Sequence, residues 1–136
     1  MEIRRATPED LDEVVNLWHR EGGPTSFPGG LPEATALLHR DPDALLVARS
    51  DDALAGSVIV GWDGWRCHLY RMVVEPSWRR NGVATLLVAA ATARARTLGA
   101  KKIDATVAFE NEGAISFWEQ QDFVQDPRDG RWSLRL

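Results

Sequence analysis

Residues 65–108 constrain the fold more than any other stretch. Trp65 to Val74 reads as a strand, and Pro76 terminates it. Gly82 to Leu98 reads as a helix, with Val83, Leu86, Leu87 and Ala90 as its apolar stripe and Gly99 as its C-terminal stop. Lys102 to Ala108 then reads as a second strand. A strand–helix–strand run this short returns parallel to its first strand, and such crossovers are right-handed. The chain is therefore committed to a sheet with a helix laid across it.

The flanking segments continue the alternation. Ile3 to Ala6 is a short strand. Thr7-Pro8-Glu9-Asp10 then opens a helix, with Thr as N-cap, Pro at N1 and acids in the first turn. Leu11, Val14, Val15, Leu17 and Trp18 follow at helical spacing, and the helix is expected to end near Glu21-Gly22-Gly23. A Gly/Pro/Thr/Ser loop runs to Gly30; Pro32 opens a second short helix with Leu37 and Leu38, closed by Asp41-Pro42. Ala44–Ala48 and Ala55–Trp62 are strands. Asp63-Gly64 is predicted to be a tight two-residue turn that sets Trp62 opposite Trp65. Asn111 is the predicted N-cap of a last helix through about Gln121. Phe123-Val124 and Trp132-Ser133-Leu134 are predicted to be closing strands joined by the turn 126–130. The order β-α-α-β-β-β-α-β-α-β-β makes a mixed α/β sheet with helices on its faces. At 136 residues, the chain is read as one domain over 1–136.

Several classes are excluded. No stretch approaches the roughly 20 apolar residues of a membrane span, and Met1-Glu2-Ile3-Arg4-Arg5 is not followed by the apolar run of a secretory signal. Cys67 is the single cysteine, so no internal disulfide forms; no Cys/His cluster has metal spacing, and no metal is expected. A cytoplasmic location is the default.

The net charge of −4 is unevenly spread. Residues 76–103 hold six bases (Arg79, Arg80, Arg94, Arg96, Lys101, Lys102) and no acid, whereas both flanks are net acidic. Inside this segment, Glu75-Pro76-Ser77-Trp78-Arg79-Arg80-Asn81-Gly82-Val83-Ala84 leads from a strand end into a helix start. The first amides of a helix lack intrahelical acceptors, and the helix dipole adds positive potential, so the pair makes an anion site. Gly82 lets a phosphate approach the backbone. Arg79 and Arg80 supply side-chain charge. A solvated helix face with ordinary charge variation is the plainer account of the same charges. The glycine spacing fits neither the dinucleotide fingerprint nor the P-loop.

The pattern Arg79-x-x-Gly82-x-Ala84, after a strand ending in Val74-x-Pro76, resembles the coenzyme A loop of the GNAT superfamily of N-acyltransferases. The stretch Asn111 to Phe123 resembles that family's second landmark, where Asn opens a helix and an aromatic pair precedes the final strand. Residues 61–84 look like a subgroup of small stand-alone bacterial acetyltransferases, so the resemblance covers about residues 2–136. It implies acetyl-CoA as cofactor, with free coenzyme A as co-product. The strands around the Gly82 helix should splay, with the pantetheine arm against Met72, Val73 and Val74. The diphosphate should meet the amides of Arg79, Arg80, Asn81, Gly82, Val83, Ala84 and Thr85. Asn111, Ser116 and Trp118 should lie on the other side of the arm.

The implied reaction is attack of a primary amine of a small molecule or peptide on the thioester, in a ternary complex. Neutralising a lysine-like amine at pH 7 costs roughly 4.6 kcal/mol, so a base helps. His68 is a candidate base; packing on a strand is its ordinary alternative. A backbone N–H near Val73 or Val74 could hold the thioester oxygen. The family's usual Tyr after the helix Phe, which protonates the leaving sulfur, is replaced by Trp118, and the expected Gly by Asp122. Three accounts stay open. Thiolate leaves unaided; Tyr70 or Ser116 supplies the proton; or the chain binds coenzyme A or a small ligand with weak or no catalysis. Glu21 and Asp63 are candidate amine contacts, and Trp62 and Trp65 a candidate aromatic wall. Neither nucleic acid nor membrane is expected as partner, although the basic segment leaves RNA binding as a third class. A homodimer is left open.

Overall fold

The computed structural model describes residues 1–22, 29–107 and 111–136. They form two compact units, Met1–Thr106 and Val107–Leu136. The first unit holds strands β1 (Glu2–Arg5), β2 (Leu45–Ser50), β3 (Ala53–Trp62), β4 (Cys67–Val74) and β5 (Ile103–Ala105), with helices α1 (Leu11–Glu21), α2 (Leu31–Arg40) and α3 (Val83–Leu98). The second unit holds helix α4 (Glu112–Gln120). The sheet order is β1-β2-β3-β4-β5. Neighbours are antiparallel except β4 and β5, which run parallel across α3 as the crossover requires.

The two faces of the sheet are distinguished by adjacent residues of β3. A Cβ added at Gly56 would meet Leu87 Cδ1 and Val83 Cγ1 of α3, each at 3.3 Å. Ser57 Oγ instead accepts a hydrogen bond from Trp18 Nε1 of α1, at 2.8 Å. Successive strand residues face opposite ways, so α1 and α3 cover opposite faces. On the α1 side, Leu11, Val14, Leu17 and Trp18 pack with Leu38, Leu45, Val47, Ile59 and Val73. Each such side chain contributes about 1.5–3 kcal/mol by leaving water.

The expected apolar stripe of α3 is shifted. Val83, Leu87, Val88, Ala91 and Ala95 are buried, whereas Leu86 is 44% exposed. At about 100° per residue, the buried set occupies an arc on one side of Val83 and Leu86 falls on the other. Gly82 and Gly99 bound the helix as predicted, both left-handed, with φ 76° and 87°.

Two predicted features are corrected. Residues 121–136, all described, contain no strand; Val124, Trp132 and Leu134 stand exposed. The turn between them does form, with the Arg128 amide donating to Asp126 Oδ1 at 3.0 Å. A turn needs only local bonds, whereas a strand needs an edge to pair with. At the hairpin, Trp62 pairs with Cys67, not Trp65. Asp63 Oδ1 accepts from the amides of Trp65 (2.8 Å) and Arg66 (2.6 Å), which widens the turn to span 63–66. Among the described residues, no helix is long and apolar enough to cross a membrane.

Asp10 ties β1, β2 and the start of α1 together. Its buried carboxylate accepts from Arg4 Nη1 (2.7 Å), Arg49 Nη2 (2.8 Å) and the Thr7 amide (2.8 Å). Burial alone would raise this carboxyl, but the bonds from Arg4, Thr7 and Arg49 outweigh it and hold it well below the usual carboxylate range. A depressed pKa contributes stability above the unfolded value of about 3.9, and that stability is lost as pH falls through the folded value. We therefore expect Asp10→Ala to cost about 3 kcal/mol in urea denaturation at pH 7. The penalty should shrink as pH drops below about 4.

Candidate functional site

The site begins where β4 parts from β5. Their register runs from Cys67↔Ile103 to Leu69↔Ala105 and, among the described residues, stops there. On its other edge, β4 stays paired with β3 to Gly56↔Val74. That second ladder carries a bulge: Ile59 faces Tyr70 and Ser57 faces Val73, so Arg71 and Met72 together oppose Val58. Arg71 has φ 53°, a left-handed conformation unusual for an arginine.

The bulge changes which side chains share a face. Leu69 opposes Val60 on the α3 face, while His68 and Tyr70 oppose Gly61 and Ile59 on the α1 face. Beyond the bulge Val73 joins the α1-side core, and Val74 opposes Gly56 on the α3 face. Strict alternation would have kept residues 68, 70, 72 and 74 together. The bulge was invisible to sequence reasoning.

After Val74 the chain makes a short 3-10 turn, Pro76–Trp78, and reaches α3 through Arg79-Arg80-Asn81-Gly82. Asn81 Nδ2 donates to the carbonyls of Trp78 (3.2 Å) and Arg79 (3.0 Å), which fixes those oxygens on the loop's own side chain. Gly82 is left-handed and Val83 begins the right-handed helix, an alternation that turns successive amides toward one point. Among the described residues, and apart from its chain neighbours and the adjoining helix backbone, no atom lies within 4 Å of where a Gly82 Cβ would stand. Arg79, Arg80, Asn81 and Thr85 are exposed, Ala84 is half-buried, and the Val83 side chain is buried beneath the helix start. The mouth of α3 is thus an open, electropositive cradle.

Not every base of the basic segment serves it. Arg94 donates to Val60 O at 2.7 Å and to both oxygens of Asp41 at 2.9 Å, and Lys102 pairs with Asp104 at 3.4 Å. Glu75, at the end of β4, pairs with Arg20 of α1 at 3.1 Å.

The candidate catalytic side chains divide. His68 Nε2 lies 3.1 Å from Thr106 Oγ1, a partner that no sequence signal indicated, and its ring is 5.9 Å from that of Tyr70. Partial burial pushes the Tyr70 phenol above its ordinary value. Cys67 is buried, and burial likewise raises its thiol. In the second unit, Asn111 caps α4, its Oδ1 accepting from the Ala114 amide at 3.0 Å. Ser116 is exposed. Trp118 is buried, edge-on to Phe117 and Phe123 at 5.2 and 4.8 Å. Of the candidate acceptor contacts, Glu21 ends α1 half-buried, Trp62 is half-buried, and Trp65 is exposed. Asp63 is committed to its turn, whose amides lower its carboxyl. Of the acceptor loop 22–31, residues 23–28 lie outside the described residues.

The sequence model of the Acetyltransferase (GNAT) family matches residues 11–123. The chain belongs to this family. A curated acetyltransferase of Sodalis glossinidius is 32% identical over 127 residues, covering 93% of this chain and 89% of the relative. In fold, this GNAT protein is similar to Ard1 of Thermoplasma volcanium, with a TM-score of 0.80 at 19% identity over 90% of this chain and 82% of that one. It is also similar to Rv2747 of Mycobacterium tuberculosis, solved in complex with CoA, with a TM-score of 0.74 at 18% identity over 93% and 73%. GNAT proteins use acetyl-CoA and act on amines, and the chain is an N-acetyltransferase of that class.

Gly56 lets α3 lie closely against β3. A Cβ at Gly56 would fall 2.8 Å from Val73 O, in addition to its contacts with Leu87 and Val83. We expect Gly56→Ala to destabilise the protein by about 1–3 kcal/mol, read as a lower urea midpoint with unchanged slope.

Proposed function

We propose that the protein moves an acetyl group from acetyl-CoA to a primary amine of a small molecule or peptide, by direct attack in a ternary complex. The observation that carries this reading is the Gly82 cradle at the open end of β4. Arg79 and Arg80 stand exposed beside it, and space is left where a Cβ would sit. That arrangement suits a diphosphate bound by the amides near residues 79–85, with Thr85 at the rim. The β4 edge beyond Leu69, which among the described residues is not paired with β5, suits an extended amide chain bound along Met72, Val73 and Val74. The family match spans both units, which supports taking residues 1–136 as one functional domain.

When bound, acetyl-CoA supplies an acyl group activated as a thioester. The protein's part is to hold that group, accept the amine proton and quench the thiolate. An amide near Val73 or Val74 is the candidate donor to the thioester oxygen. His68, bonded to Thr106, is the candidate base. Tyr70, like any phenol with a pKa of about 10, carries its proton at neutral pH, and that is the state an acid requires. Ser116, exposed on α4, is the alternative donor. By the family resemblance, Asn111 and Trp118 are further candidate contacts of the cofactor. Trp118 cannot itself be the acid, since an indole N–H donates but does not ionise usefully. Glu21, Trp62, Asp63 and Trp65 remain the proposed acceptor contacts.

One observation favours a second reading, in which the fold binds coenzyme A without efficient turnover. The family's usual Tyr is here an indole packed between two phenyl rings. Thiol release over a panel of amines separates the readings: turnover with any amine supports transfer, and binding without turnover supports the module. Calorimetry tests the cradle directly. Gly82→Ala should weaken coenzyme A binding by about 10-fold or more, with about 1–2 kcal/mol of stability lost to the left-handed backbone. No detectable coenzyme A binding by the unmodified protein would overturn both readings.

A further inference from the structure

The bulge in β4 is held by a buried chain of hydrogen bonds outside the cradle. Trp18 Nε1 lies 2.8 Å from Ser57 Oγ, which lies 3.1 Å from the Arg71 carbonyl. Ser57 is fully buried and Trp18 is 5% exposed. The direction is unambiguous. An indole N–H only donates, so the Ser57 oxygen accepts there and its own proton goes to Arg71 O. The same indole carries the Arg71 guanidinium over its ring, at 5.4 Å from the centroid. One tryptophan therefore fixes Arg71 at both ends, through Ser57 at the carbonyl and through its π face at the side chain.

Arg71 needs such a hold, because its left-handed φ is disfavoured for a residue with a Cβ and persists only where surroundings impose it. It also stands where the fold diverges. Among the described residues the β4–β5 register ends at Leu69, and the residues after the bulge are Val73 and Val74, with Met72 in the bulge itself.

We infer that Ser57 and Trp18 are positioning residues for acetyl transfer: through Arg71 they set the orientation of the Met72–Val74 backbone at which the acyl group is held. The inference rests on the proposed acetyl-CoA reading. Neither residue touches the cradle, so they should affect how the acyl group is aimed more than how tightly the cofactor is bound.

The experiment has two arms. In the ligand-free protein, hydrogen exchange followed by mass spectrometry should show faster exchange across 70–74 in Ser57→Ala, with Gly82–Leu98 unchanged. In steady-state kinetics, kcat for Ser57→Ala should fall about 10-fold or more, while KM for acetyl-CoA moves by less than about 3-fold. Ser57→Thr, which restores a hydroxyl, should recover most of the lost kcat. Trp18→Phe keeps an aromatic face under Arg71 but removes the N–H, and should give a smaller loss of the same kind; it replaces Ser57→Ala if that variant does not fold. Unchanged exchange across 70–74 overturns the clasp, whatever the turnover. A kcat within about 2-fold of the parent, or a loss confined to KM, overturns the positioning role. If the parent protein binds no coenzyme A, the acetyl-transfer reading fails and takes the positioning role with it; the exchange arm then decides the clasp alone.

Discussion

Strand β4 is bonded to β3 along its length but, among the described residues, to β5 over three register positions, Cys67 to Leu69. A strand inside a sheet normally satisfies both edges, since unpaired backbone groups are costly once buried. Among the described residues, the β5 ladder does not extend along Tyr70–Val74, just where the chain turns toward α3. The other features described arrange themselves around that point. Gly56 lets α3 press against β3, the 3-10 turn at 76–78 redirects the chain, and Gly82 starts the helix with its amides facing outward.

Electrostatics follow a similar division of labour. The basic segment reads in sequence as one block, yet Arg94 is committed to Asp41 and Val60, and Lys102 pairs with Asp104. Arg79 and Arg80 are the two bases that flank the helix mouth. The buried charges elsewhere are structural. Asp10 takes hydrogen bonds from two arginines on neighbouring strands and anchors the edge of the sheet farthest from the site.

What was legible in the sequence was what backbone chemistry demands locally. Gly82 and Gly99 occupy left-handed positions that bound α3, Thr7-Pro8 opens the first helical segment, and Asn111 caps α4 through its own side chain. The parallel crossover followed from the lengths of the segments around it. What was not legible depends on distant partners. The bulge at Arg71 exists because Trp18 and Ser57, far apart in the chain, converge on it. The link from His68 to Thr106 joins two strands in the same way. The closing strands expected at 123–124 and 132–134 rest on short apolar segments either side of a turn, and such segments do not specify an edge to pair with. At the hairpin, the carboxylate of Asp63 competed with the ladder for the backbone and won, moving Trp62 opposite Cys67.

Arg94 gives α3 a mechanical property. Its guanidinium grips a carbonyl of the central strand and, bidentately, the residue that ends α2. The grip lies near the rear of the helix, about three turns behind the Gly82 end. Sliding the helix along its axis would break these bonds, so Arg94 opposes that motion and holds the Gly82 end in register with the sheet.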